Sequence, residues 1–229
     1  MSPAPVLEVH SLSKAFRIKW GLASMLEEKF LRFRRPPNQN FVFQDVTFAI
    51  YPGECMTLAG PNGTGKSTLL KCISGLMGVN GGKVLCHGKM IAQLTHGYGP
   101  YEDLSVWRNL LLAQQLLGAS AAAAETNLEK MAALCGLQDR MLSLTSQLSE
   151  GMRAKIGLAA LMCADFNLAL LDECLNHVDA AFRDLFFDFT RTALSQDRSF
   201  VLTSHDEMLL KRFGTRFFKI ENRALIELK

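Results

Sequence analysis

No stretch of this chain is apolar for long enough to cross a bilayer, which takes about 20 apolar residues. Residues 156–164 and 109–117 come nearest, and both are too short or too interrupted by polar side chains, so no membrane anchor is expected. The opening Met1-Ser2-Pro3-Ala4-Pro5 lacks the basic and apolar regions of a secretory signal, and no cleavage site follows, so the chain is expected to stay in the cytoplasm. Paired cysteines are missing too. Cys55, Cys72, Cys86, Cys135, Cys163 and Cys174 are scattered, mostly inside apolar runs where a thiol acts as a small hydrophobe. Neither disulfides nor a metal on these thiols is expected. There is no internal repeat and no Asn-Lys-x-Asp motif. An excess of charge is also missing from most of the sequence: six basic residues (Arg17, Lys19, Lys29, Arg32, Arg34, Arg35) against Glu27 and Glu28 exceed the whole net charge of +3. The basic excess therefore lives in one segment.

What is present is Gly60-Pro61-Asn62-Gly63-Thr64-Gly65-Lys66-Ser67-Thr68, a complete phosphate-binding P-loop. Its glycines allow backbone angles closed to other residues, so successive N–H groups can turn inward as a nest for anionic oxygens. A helix starting near Lys66 adds its positive dipole end, with Thr68 expected to begin the helix proper. Lys66 would reach the terminal phosphates of ATP as a point charge, and the Ser67 hydroxyl would complete the shell of a magnesium ion. The apolar run Cys55-Met56-Thr57-Leu58-Ala59 reads as a buried strand before the loop. After it, Leu69, Leu70, Ile73 and Leu76 recur at helical spacing. Strand, loop, helix is the context the motif requires. With 48% hydrophobic residues in 229, the chain can bury one substantial core or two unequal lobes that share a nucleotide.

Around this loop the pattern predicts strands at 6–18 and 41–50 separated by a break at Pro36-Pro37-Asn38, and a turn at Gly81-Gly82 followed by one short strand. A mainly helical region from about 106 to 142 comes next. Helix 151–164, strand 168–171, helix 180–194 and strand 200–203 then alternate, which argues for a parallel sheet covered by helices, and 216–220 with 224–228 reads as an edge hairpin. The expected class is α/β.

Four further motifs follow in order. Leu168-Ala169-Leu170-Leu171-Asp172-Glu173 is an apolar strand ending in two carboxylates; Asp172 would hold magnesium through water and Glu173 would polarise the attacking water. Strands ending in acids are common, and the pair gains weight from following a P-loop by about a hundred residues. Leu148-Ser149-Glu150-Gly151-Met152-Arg153-Ala154-Lys155 resembles the signature of ATP-binding cassette (ABC) proteins, usually Leu-Ser-Gly-Gly-Gln; Ser149 and the Gly151 amide would sit at a helix start, a second anion site. Asn176-His177-Val178-Asp179 occupies the D-loop place, with Asp179 as the matching residue, and His205 the place of the switch histidine. Phe16 resembles the aromatic that stacks on adenine, its alternative being a core aromatic on the first strand.

The resemblance spans nearly the whole chain, and it implies a P-loop NTPase (ABC ATPase) fold: a mostly parallel core sheet, an N-terminal antiparallel β region and a helical subdomain. Residues 1–229 would form a single ABC ATP-binding domain, with the helical subdomain at about 104–164 and a basic insertion at about 17–37. The cofactors would be ATP and Mg2+. Two chains would meet head to tail, each ATP lying between Lys66 of one copy and Ser149 of the other. An integral membrane permease subunit would be the other partner, through the surface around residues 93–112, on the cytoplasmic face of the inner membrane. Nucleic acid is not expected.

The departures carry information about cargo. Gln93 stands slightly early for the family's Q-loop glutamine, a magnesium ligand, and His96 stands nearer the expected position. Glu150 replaces the first signature glycine, Met152 the glutamine, and Lys155 stands where arginine is commoner. That variant, with a basic insertion bearing Trp20, Leu22, Met25, Leu26, Phe30 and Phe33, resembles the ATPases of capsular polysaccharide, O-antigen and teichoic acid exporters (ABC-2 type), which implies export of a polysaccharide or glycolipid and further envelope export components as partners. The insertion would be either a helix packed on its own domain or one that rests on the inner leaflet. Alternatives are another export system (lipid, haem or drug), a soluble ABC-type ATPase on ribosomes or DNA, and a P-loop kinase or GTPase.

Overall fold

The computed structural model describes residues 3–17, 39–94 and 101–228. The expectations about the basic insertion beyond Arg17, about the break at Pro36-Pro37-Asn38 and about His96 fall on residues outside that set.

Strand β1 (Leu7–Arg17) begins with strict alternation: Leu7 and Val9 are buried, Glu8 and His10 are not. Leu12 is buried as well, on the wrong parity, and the chain corrects this with a bulge at Ser11, whose φ is +47°. One extra residue returns the apolar set to the covered face. Antiparallel partners flank β1, with β2 (Gln39–Ile50) on one side and β4 (Gly81–Cys86) on the other. Gly81-Gly82 therefore opens a strand instead of making the expected turn. Gly82 sits at φ +82° beside the bulge, where a Cβ would come within 2.4 Å of the His10 and Ser11 carbonyl oxygens.

The core sheet runs β5 (Met90–Gln93), β6 (Leu168–Asp172), β7 (Ser199–Thr203), β3 (Cys55–Ala59), β8 (Arg216–Glu221) and β9 (Ala224–Leu228), parallel except for β9. The single short strand expected after Gly82 is thus two strands in different sheets. Both faces of the core sheet are covered, which is why β6 reads as an unbroken apolar run. Leu168 and Leu170 join Leu7, Phe43 and Leu58 under the small sheet, whereas Ala169 and Leu171 join the helical side. Each such leucine contributes about 1.5–3 kcal/mol.

Helix α1 (Lys66–Ile73) packs Leu69, Leu70 and Ile73 into the first of these clusters. Helices α2 (Val106–Leu116), α3 (Ala121–Cys135) and α4 (Glu150–Met162) pack on one another through Val106, Leu110, Met131 and Ile156. Helices α5 (Ala180–Leu194) and α6 (Glu207–Phe213) complete the alternation; an edge contact between Phe187 and Phe213 joins them, and one between Phe189 and Phe200 seats α5 on β7. Among the described residues, no helix is long and apolar enough to cross a membrane. The six cysteines are free thiols, and burial pushes Cys135 and Cys174 up to about 12, so they behave as hydrophobes.

Candidate nucleotide site

The P-loop leaves the end of β3 and turns through Gly60, Gly63 and Gly65, all at positive φ. Gly65 is the tightest: it sits at φ +104°, and a Cβ there would be 2.4 Å from Val42 Cγ1. No other residue fits unless the Val42 side chain on β2 gives way, and the positive φ would strain it even then. Helix α1 starts at Lys66, two residues before the expected Thr68, so the lysine itself belongs to the first turn. Its Nζ donates to the carbonyls of Gly60 at 2.6 Å and Pro61 at 3.0 Å, and the Thr64 hydroxyl donates to Pro61 at 3.0 Å. The side chain is 4% exposed, and its ammonium is held inside the loop it serves.

Lys66, Ser67 and Thr68 line a depression of about 330 Å³ with Asn62, Gly63, Gly65 and Lys71. Its other wall is Asp172 and Glu173, at the end of β6. Asp172 is buried and accepts a 2.6 Å hydrogen bond from the Thr203 hydroxyl on β7. Glu173 takes φ +55°, a left-handed conformation uncommon outside glycine, which turns its carboxylate out of the strand line. One Glu173 oxygen lies 3.8 Å from Lys66 Nζ, and the other lies 3.9 Å from His205 Nδ1. His205 Nδ1 is also 3.3 Å from the Asn176 amide nitrogen, and the Asn176 oxygen accepts from the Ser204 hydroxyl at 3.0 Å. Carboxylate, imidazole and ammonium converge.

Ser149 caps α4, accepting from the Met152 N–H at 3.2 Å. Asp179 caps α5 in the same way through Phe182 N–H and forms an ion pair with Lys155 of α4. Ser149, Gly151 and Asp179 do not line the depression. Gln93 does not line it either: its side chain lies over Gly157 of α4, so close that a Cβ there would be 2.2 Å from its Nε2. Phe16 is 46% exposed with Lys14 Nζ 5.0 Å from its ring centre, which removes the core alternative for this side chain. No sequence motif gives a role to Thr203 or Lys71, and the D-loop motif singles out Asp179, not Asn176. Lys71 had a visible signal, since it stands four residues after Ser67 on the same helical face.

The Lys155 ammonium, then the Phe182 N–H, holds the Asp179 carboxyl below its ordinary value of 3.8. A depressed folded-state value means that this stabilisation is complete above the ordinary value and is lost as pH falls through the lower, folded one. Asp179→Ala should therefore cost about 1 kcal/mol between pH 5 and 8, the usual worth of such a cap. In urea titrations the difference from wild type should narrow below the ordinary carboxylate range.

Against known proteins, the family model described as ABC transporter matches residues 43–176, more than half of the chain. The O-antigen export system ATP-binding protein of Yersinia enterocolitica is 28% identical over 80% of this chain and 77% of its own length. A Klebsiella pneumoniae protein of the same description is 24% identical over 98% and 93%. The cytochrome c biogenesis ATP-binding export protein of Cereibacter sphaeroides is 31% identical over 73% and 77%. Among solved structures, an ATP binding subunit of an ABC transporter superposes with a TM-score of 0.77 at 23% identity, over 98% of this chain and 90% of the other. A dimeric post-hydrolysis state of an ATP-binding cassette bound to ADP and Pi gives 0.77 at 16%, over 97% and 98%, so both show the same P-loop NTPase fold. On this match and this geometry, the chain belongs to the ABC transporter family as one of its ATPase domains.

Proposed function

We propose that this chain is the ATP-hydrolysing subunit of an exporter that moves a polysaccharide or glycolipid through a separate membrane subunit. The observation that carries the chemistry is the convergence of Lys66, Ser67, Asp172 and Glu173 on one depression. The cargo reading is supported by the two O-antigen export relatives and by the Ser149 to Lys155 variant.

Lys66 would turn from the Gly60 and Pro61 carbonyls to the terminal phosphates, and the N–H groups of the loop and of the α1 end would hold the β-phosphate. The Ser67 hydroxyl and Asp172 carboxylate are hard oxygen donors facing the same space, which suits magnesium; the ion would neutralise charge across two phosphates. Glu173 takes a proton from the water whose oxygen bonds to the γ-phosphorus as the bridging oxygen leaves with ADP. His205 stands beside the same carboxylate, positioned to keep that water and the γ-phosphate in register. Asn176 orients the imidazole.

Ser149, Gly151 and Asp179 lie outside this depression, and in this proposal they complete the site of a second copy placed head to tail. Residues 1–229 then act as one cassette with a helical subdomain at about 104–164, and Phe16 offers an exposed face to adenine. Gln93, packed against α4, links β5 to the signature helix and is not assigned to the metal. The pair would sit on the cytoplasmic face of the inner membrane, docked on a permease.

Cells lacking this subunit should accumulate undecorated glycan internally and lose it from the surface. The 31%-identical relative favours a second reading, export in cytochrome c biogenesis. Normal surface glycan with impaired cytochrome c maturation would replace the first reading by the second.

A further inference from the structure

Glu150 is the first residue of α4, and its side chain is 72% exposed. An acid there suits the positive end of its own helix. In the head-to-tail pair proposed above, on which this inference rests, that same end receives the terminal phosphate of the ATP bound to the other copy. Two anions then compete for one set of N–H groups. A free carboxylate at this position would oppose closure.

The carboxylate is not free. His177 Nδ1 lies 3.2 Å from Glu150 Oε1 and draws it toward the segment that enters α5. That segment is pressed on the start of α4: a Cβ on Gly151 would fall 2.7 Å from the His177 carbonyl oxygen. The other charges nearby are committed elsewhere. Arg153 of α4 is paired with Glu102 at 2.7 Å, on the stretch before α2, and Lys155 of α4 is paired with Asp179. Among the described residues, His177 is the basic group in contact with Glu150.

We propose that His177 is a positioning residue for ATP-driven pairing: it holds the Glu150 carboxylate to the side, leaving the α4 end open to the partner's terminal phosphate. Residue 177 matters in this account only because residue 150 is an acid. The dependence is testable as a coupling between the two.

Pairing would be followed by sedimentation against ATP concentration in a Glu173→Gln parent, in which hydrolysis is blocked. H177A should raise the ATP needed for half-maximal pairing about tenfold, the scale of one close interfacial charge contact. E150Q should pair at equal or lower ATP than the parent, and adding H177A to E150Q should change the midpoint less than twofold. Binding of a fluorescent ATP analogue to dilute monomer should be the same in all variants, because His177 does not line the depression. His177 is half exposed, so loss of its ring leaves no hole in the core. A tenfold penalty from H177A that persists in E150Q, or a higher ATP requirement in E150Q alone, overturns the proposal. Failure of the Glu173→Gln parent to pair at any ATP concentration overturns the head-to-tail reading itself.

Discussion

Glu173→Gln is expected to lower ATP turnover by about 10²- to 10⁴-fold, the contribution of a positioned general base. The amide keeps the size and shape of the carboxylate, so the left-handed backbone at φ +55° and the packing of β6 should persist. What disappears is the acceptor for the proton of water. Nucleotide binding should survive, because the loop N–H groups, Lys66 and Ser67 are untouched and the removed negative charge lay 3.8 Å from the Lys66 ammonium. Steady-state phosphate release and equilibrium binding of an ATP analogue separate the two effects. Turnover within twofold of wild type would remove Glu173 from the role of base.

Lys66→Ala is expected to cost about 10²- to 10³-fold in kcat/KM, the scale of one lost preorganised electrostatic contact to the transferred group. Affinity should fall with it. The side chain is almost wholly buried, yet it lines the depression itself and its hydrogen bonds go to two carbonyls of the surface loop, Gly60 and Pro61. Thermal stability should change little, therefore, and a loss of activity without a loss of fold is the diagnostic outcome. Arginine should not rescue it. Its planar fork cannot replace a compact point charge within a loop closed around a single ammonium.

Both predictions concern residues that could be read from the chain, and the reason is that their chemistry is local. A P-loop is a run of backbone angles and one helix end, so Gly60 to Thr68 announces itself within nine residues. Ser149 and Asp179 are caps, determined by their own following turns. The run at 168–171 is apolar on both faces because both faces are covered, and it ends where the acids begin. Other features depend on partners far along the chain. Thr203 reaches Asp172, and Ser204 fixes Asn176 beside His205, only because β6 and β7 are neighbours in the sheet. Gly82 looked like a turn because its glycine is required by a bulge on β1, some seventy residues earlier. The split of residues 81–93 between two sheets has the same origin, since a strand's place is decided by what it pairs with. The family resemblance supplied the roles of the signature and D-loop residues; the exposure of Glu150 and its contact with His177 came from the fold.

Sedimentation of Glu173→Gln at saturating ATP and magnesium tests the central claim most directly, because one copy presents the P-loop and carboxylates in a depression that its own Ser149, Gly151 and Asp179 do not line. The variant should sediment as a dimer with ATP and as a monomer with ADP or without nucleotide. A monomer under saturating ATP, together with wild-type hydrolysis per chain that does not change on dilution, would contradict that claim.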